Sequence, residues 1–275
     1  MARLFGFVGN RADLGAHVLE FESNALKVLA KGTTLSWGLG FYQAGEVLLR
    51  RRPIDDRSEI DVASLAKDLR TDVLVGHVRT ATVGNLRTEN THPFRYRQWL
   101  FAHVGTVDGH ATLRQRVSES LPDFLGRNVR GDTDSELLFH LFLSFLHDAG
   151  SLVDEPLDPS STRAALRSTL SLVDRLCAEQ GMTTGAMNLL VTDGEHMIAL
   201  HAGARMAYRV ITGRANLERL LGDDTLRKMR VPDLASCRFC LVASDFEEEP
   251  LEWTWVPSRS MVTITRTDDP TTEPL

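Results

Sequence analysis

The chain has 275 residues, and its 31 Lys and Arg against 37 Asp and Glu give a formal net charge of −6. That balance argues against a nucleic-acid partner held through its phosphates. No apolar run approaches the ~20 residues of a membrane-spanning helix. With 43% hydrophobic and 25% charged residues, the composition is that of an ordinary globular protein able to bury a large core. Cys177, Cys237 and Cys240 make no disulfide framework and suit a reducing cytoplasm. The Cys237-Arg-Phe-Cys240 spacing has no second pair, so it reads as strand and core, and no metal or cofactor is expected.

The first eight residues, Met1-Ala2-Arg3-Leu4-Phe5-Gly6-Phe7-Val8, form an apolar run that reads as a buried strand tied into the interior. Charged residues follow too soon for a secretory signal. Asp13 is a plausible N-cap for a helix over residues 14–31, whose apolar stripe runs from Leu14 through Val18, Phe21, Ala25 and Leu26 to Leu29. Trp37-Gly38-Leu39-Gly40-Phe41-Tyr42 reads as a strand with glycines where backbones pass closely, turning at residues 43–45 into a partner strand over 46–49. Arg50-Arg51-Arg52 beside Asp55 and Asp56 reads as a solvated loop rather than a polyanion site.

Residues 58–69 suggest a short amphipathic helix, 73–78 a buried strand, and 99–104 another strand closed by Gly105. Thr133-x-x-Glu136 is a capping box ahead of a helix too apolar for a surface. Residues 151–161 look like a linker and 162–180 like a second long helix. A hairpin folds around Asp193-Gly194. Strands follow at 206–211, 239–244, 252–255 and 261–265, with 267–275 expected as a loose tail and 1–266 as the folded domain.

Three positions invite chemistry. Arg79 lies just beyond a buried strand, where a guanidinium can hold a carboxylate in a fork or simply make a surface ion pair. Asp134 lies in the first turn of a helix, where a carboxylate is favoured by the dipole even without a ligand. Gly105 ends a strand with an N–H of the kind that oxyanion holes use.

In order along the chain, these features resemble the class II glutamine amidotransferases. The opening is similar to the family's Met-Cys-Arg-Leu-Phe-Gly, and residues 37–42 to its Trp-Gly-x-Gly-x-Tyr. His77-Val78-Arg79-Thr80-Ala81-Thr82 resembles His-x-Arg-x-Ala, and Asn90-Thr91-His92-Pro93-Phe94 matches the family motif outright. Phe101-Ala102-His103-Val104-Gly105 resembles Ala-His-Asn-Gly, and Gly131-Asp132-Thr133-Asp134-Ser135-Glu136 resembles Gly-x-Thr-Asp-Ser-Glu. The likeness implies an α+β fold, a four-layer αββα sandwich of the N-terminal-nucleophile hydrolase type. It also implies roles: a cysteine nucleophile at position 2 activated by its own α-amino group, Arg79 and Thr82 with Asp134 gripping the amino-acid end of glutamine, and an asparagine with Gly105 binding the oxyanion.

Two of these roles have no bearer. Position 2 is Ala2, whose methyl group cannot attack a carbonyl, and the oxyanion asparagine is Val104. Leu35-Ser36 also replaces the family's Asp-Gly. The chain therefore reads as a non-catalytic relative serving binding, regulation or assembly with another protein, with glutamine, glutamate or a γ-glutamyl group as ligand. The alternative is a glutamine or γ-glutamyl amide hydrolase whose nucleophile has been substituted. Because Val104 departs from the pattern as well as Ala2, the first reading is favoured.

Overall fold

The computed structural model describes residues 2–80, 86–107, 110–153, 157–229 and 234–275. Strand β1 (Ala2–Gly9) leads through α1 (Gly15–Phe21), α2 (Ser23–Leu26) and β2 (Val28–Leu29) to β3 (Leu35–Gln43), β4 (Glu46–Asp55) and β5 (Glu59–Ile60). Helix α3 (Val62–Ala66) precedes β6 (Val73–Thr80), β7 (Phe94–Tyr96) and β8 (Trp99–Gly105). Four helices follow: α4 (His110–Ser120), α5 (Asp123–Gly126), α6 (Asp134–Asp148) and α7 (Pro159–Ala178). The hairpin of β9 (Met187–Thr192) and β10 (His196–Ala202) continues to β11 (Met206–Thr212) and α8 (Gly213–Met229). Strands β12 (Arg238–Ser244), β13 (Thr254–Trp255), β14 (Ser260–Thr265) and β15 (Thr271–Pro274) complete the chain.

Among the described residues these strands make a seven-stranded sheet, β13-β11-β12-β1-β6-β3-β4, and a six-stranded one, β15-β14-β10-β9-β8-β7. Strand β1 is central in the first, paired antiparallel with β12 and β6. Its side chains alternate between faces. Leu4 and Val8 join Val73 and Val75 of β6 in a core shared with Leu100, Ala102 and Leu190 of the opposite sheet. Phe5 and Phe7 face the other way, against Leu14, Val18 and Leu65 of the helical layer. Beyond the second sheet, Phe101 and Leu189 pack on Phe139, Phe142, Leu166 and Val173 of α6 and α7. The result is helix, sheet, sheet, helix, the α+β sandwich expected from the sequence.

Several elements differ from expectation. The helix expected over 14–31 is broken into α1 and α2, followed by strand β2. The stripe is real, but tertiary bonds claim its backbone. Glu22, at the break, is drawn into an ion pair with Arg209 and accepts from Trp253 Nε1 at 3.0 Å. Arg3 takes the carbonyls of Ala25 and Lys27. Asp13 caps nothing and instead pairs with Arg11 at 2.7 Å. The helix expected over 58–69 shrinks to α3, capped by Asp61, because Glu59 and Ile60 pair with β2.

Residues 50–52 are strand, not loop. Arg51 turns inward to donate to Thr88 and Pro93 carbonyls, and burial lowers its pKa to about 10. Helix α7 begins at Pro159, three residues before the expected start, with Asp158 accepting from Ser160 N at 2.8 Å. Helix α8 was not expected at all. The tail is not loose: 271–274 add β15 to the edge of the six-stranded sheet, with Ser260 opposite Pro274.

A close approach fixes one glycine. A Cβ on Gly38 of β3 would lie 2.0 Å from the carbonyl oxygen of His92, so the 88–93 segment sits directly on the strand. We expect Gly38→Ala to destabilise the fold by about 1–3 kcal/mol, at roughly 2–4 °C per kcal/mol in thermal melts. An unchanged melting temperature would show that the segment yields freely.

Candidate functional site

The site is built at one end of the gap between the sheets. Ala2 lies opposite Arg79, and Arg79 opposite Ser36, so one row crosses β1, β6 and β3. Residues directly opposite share a face. The parity of β1 and β6, with Leu4 and Val75 in the inter-sheet core, turns this row inward. Arg3, on the other face, anchors the start of β1: its guanidinium donates to Asp245, Ala25 and Lys27 carbonyls. Burial lowers its pKa to about 10, still charged at neutrality.

Across the gap, β8 brings Val104 against the core that contains Leu100 and Ala102. Its neighbour in register, Asn188, holds a buried carboxamide that is already engaged, Nδ2 donating to Ala204 O at 2.6 Å and Oδ1 accepting from Ala202 N at 3.1 Å. Gly105 adopts φ +150°, and a Cβ there would lie 2.4 Å from Ala186 O. Only glycine fits at that point.

Asp134 opens α6. One carboxylate oxygen accepts from Val107 N at 2.8 Å and the other from Ser135 N at 2.8 Å. The aspartate is thus held by the same backbone that carries Gly105. Thr133 caps the helix by accepting from Glu136 N at 3.2 Å. Only half of the expected box forms, because the Glu136 carboxylate accepts from Arg130 and Gly131 N–H groups instead.

Arg79 is 8% exposed and Asp134 4%. Burial lowers the Arg79 pKa, while Asp134 and Asp132 act to raise it. The two predicted gripping residues are therefore brought together. Arg79 Nη1 also donates to Asn90 O at 3.4 Å, and Asn90 in turn is locked to Asp132, accepting from its N–H at 3.0 Å. Thr82 lies outside the described residues.

Sequence reasoning singled out neither Asn90 nor the buried histidines around the site. His77 and His92 stack at 4.2 Å between ring centres, and His103 meets Ser135 Oγ through Nδ1 at 3.0 Å. All three have pKa values lowered first by burial; Arg79 depresses His77 and His92 further. The signal for His77 was available: two residues before Arg79 on a strand is the same face.

This helix, sheet, sheet, helix sandwich, with Ala2 and Arg79 side by side in the first sheet, is the architecture of the N-terminal-nucleophile fold. The family model "Glutamine amidotransferases class-II" matches residues 1–269. The chain belongs to that family. It is 26% identical over 223 residues to the Saccharomyces cerevisiae protein named "Probable glutamine amidotransferase DUG3", covering 74% of this chain and 60% of the yeast protein. To the glutamine–fructose-6-phosphate aminotransferase of Chlamydia muridarum it is 26% identical over 160 residues, covering 56% of this chain and 24% of that enzyme. The chain thus spans only part of the length of these relatives. A class II glutamine aminotransferase domain protein from Silicibacter pomeroyi has the same fold, with TM-score 0.60, 19% identity and 99% coverage of both chains. So does the glutamine phosphoribosylpyrophosphate amidotransferase of B. subtilis, with TM-score 0.54, 16% identity and coverage of 99% of this chain and 49% of that one.

The buried histidines set a pH dependence. Their folded pKa values lie below the ordinary ~6.5 of the unfolded chain, so their contribution to stability is present above that value and is lost as pH falls toward the folded ones. Each adds a slope of up to roughly 1.4 kcal/mol per pH unit in that window. We expect His92→Gln to flatten the fall in unfolding free energy between pH 7 and 5 by about one proton's slope, measured by denaturant titration. An unchanged slope would show that His92 titrates normally.

Proposed function

We propose that this chain is a non-catalytic member of its family, a cytoplasmic binding or regulatory module that works with another protein. The observation that carries this is that the positions which the family motifs give to the nucleophile and the oxyanion asparagine hold apolar residues, Ala2 and Val104. The methyl group of Ala2 stands in the row of Arg79, and the isopropyl group of Val104 lies across the gap. Neither supplies a nucleophile or a hydrogen-bond donor.

Nothing nearby replaces them among the described residues. All three cysteines are buried, and burial pushes the Cys240 thiol up to about 12. Ser135 is buried and bonded to His103. The Asn188 carboxamide is turned onto the 202–204 backbone.

The grip on an amino acid is a separate matter, because catalysis needs interactions made specifically in the transition state whereas binding does not. Arg79 offers a fork for an α-carboxylate and Asp134 an acceptor for an α-ammonium group; Thr82 belongs with them by motif. Glutamine, glutamate and γ-glutamyl compounds all carry that end.

A second reading, a glutamine or γ-glutamyl amide hydrolase lacking only its cysteine, is favoured by the intact Arg79, Asn90 and Asp134 framework. The readings separate by restoring residues singly. We expect no ammonia release from glutamine above a heat-treated control for the chain carrying Ala2 and Val104; turnover on the order of 1 s⁻¹ would contradict the proposal. With Met1 removed, Ala2→Cys alone should remain about 10²–10³ slower than Ala2→Cys with Val104→Asn, the cost of one missing oxyanion donor. Equal rates for the single and double variants would favour the hydrolase reading.

A further inference from the structure

We infer that β4 is a dimerisation edge: two copies of this chain join through antiparallel pairing of residues 46–50, which runs their seven-stranded sheets into one.

The outermost strand of a sheet offers unpaired N–H and C=O groups to any chain that reaches it, and proteins blunt such edges by keeping them short. The two large sheets have four edges among the described residues. Three are short: β13 has two residues, β7 three and β15 four. The fourth, β4, has ten residues and pairs only with β3 among the described strands. It also carries Leu48, 40% exposed, and Ile54, 49% exposed. Pro53 has no N–H for a ladder and ends the usable stretch on that side.

The hairpin geometry tells which backbone groups of β4 are free. Gln43 and Glu46 close a two-residue turn at Ala44 and Gly45, with φ of 53° and 80°. This is the type I′ turn, and its closing pair is hydrogen-bonded. Alternation then directs the N–H and C=O groups of Glu46, Leu48 and Arg50 onto β3, and those of Val47 and Leu49 out to the free edge. Tyr42, opposite Val47, has the same phase: its N–H points away from β4 and donates to Thr71 Oγ1 at 3.3 Å. Side chains alternate as well. Glu46, Leu48 and Arg50 are exposed on the outer face, whereas Val47 is buried and Leu49 half-buried against the inter-sheet core.

A second copy is the partner that this edge fits, because the stretch is self-complementary about Leu48. A two-fold axis through that point and normal to the sheet keeps inner face with inner face. Val47 of each copy then exchanges both N–H···O bonds with Leu49 of the other. Leu48 meets its own copy as a non-hydrogen-bonded pair, the kind whose side chains lie closest. Glu46 meets Arg50 of the other copy on either side of the axis. Arg50 Nη1 donates to Leu65 O at 2.8 Å, which keeps the guanidinium on the outer face with further N–H groups for a carboxylate. The result is an apolar centre of Val47, Leu48 and Leu49 from both copies, flanked by opposite charges. Other registers lose this match. An axis at Arg50 sets that residue against itself, and like charges directly opposite are destabilising. An axis at Leu49 sets Leu48 against Arg50 and removes the leucine pair.

Sedimentation equilibrium on the full chain, from micromolar to hundreds of micromolar, tests this, with circular dichroism confirming that each variant is folded. The contact is smaller than a standard interface, so we expect a concentration-dependent monomer–dimer equilibrium. Leu48→Lys, at an exposed position, sets like charges together on the axis and should lower the association constant at least about tenfold. Glu46→Arg and Arg50→Glu should each be monomeric alone, since either change brings like charges opposite each other. An equimolar mixture of those two variants should associate, because opposite charges then meet on both sides of the axis. A chain that stays monomeric throughout this range, or a dimer that Leu48→Lys leaves intact, would overturn the proposal. A dimer weakened by Leu48→Lys whose charge variants fail to associate when mixed would overturn the register on which it rests.

Discussion

The site depends on how the first residues of β1 are held inside the molecule. Residue 2 faces the gap between the sheets only because residue 3, on the opposite face, is anchored through its guanidinium. Arg3 is 2% exposed, and its donors are taken up by the carbonyls of Asp245, Ala25 and Lys27. A buried cation is costly unless such groups replace its hydration. That demand explains more than the position of β1. By capturing Ala25 and Lys27 it helps stop the helix that the local apolar stripe would otherwise continue, and by holding Asp245 it ties the end of β12 to the same point. Register then does the rest, setting Ala2 beside Arg79 and Arg79 beside Ser36.

Around this row a set of buried contacts holds the framework. Asn90 and Asp132 lock two loops together, Thr133 and Glu136 hold the start of α6, and His103 meets Ser135. The Asn90, Thr133 and Glu136 contacts fix backbone or carboxylate groups, and the last joins two buried side chains. Residue 2 takes part in this framework through its strand pairing opposite Arg79, and the side chain of Val104 through its packing on the inter-sheet core. Within this framework Arg79 and Asp134 are both buried, and the charge of Asp134 acts on the Arg79 guanidinium.

Much of this was legible from residues alone. Motif order singled out Arg79, Asp134 and Gly105, and the apolar run of Leu4, Phe5, Phe7 and Val8 marked β1 as an interior strand, as the sheet order has it. The errors share one cause. Residues 14–31 carry a sound helical stripe, yet Glu22 and Arg3 make long-range bonds that break it, and no local pattern encodes those partners. Arg51 reads as solvated among three arginines, yet strand pairing turns it inward toward residues 88–93. The tail at 271–274 is polar and contains prolines, but an open edge at β14 accepts it. The histidines escaped notice because each lies in a motif whose better-known neighbour drew the assignment.

The central claim is that the amino-acid end of the site is intact while the reacting end is chemically inert. The most direct measurement is intact mass after incubation with an electrophilic glutamine analogue, one carrying a diazoketone in place of the carboxamide, followed by peptide mapping. The account predicts an unmodified chain, and modification at the N-terminal residue once Ala2 is replaced by cysteine with Met1 removed. An adduct on this chain at the start of β1, on the 104–107 segment or on Ser135 would contradict it, because it would reveal a nucleophile that the account does not place there.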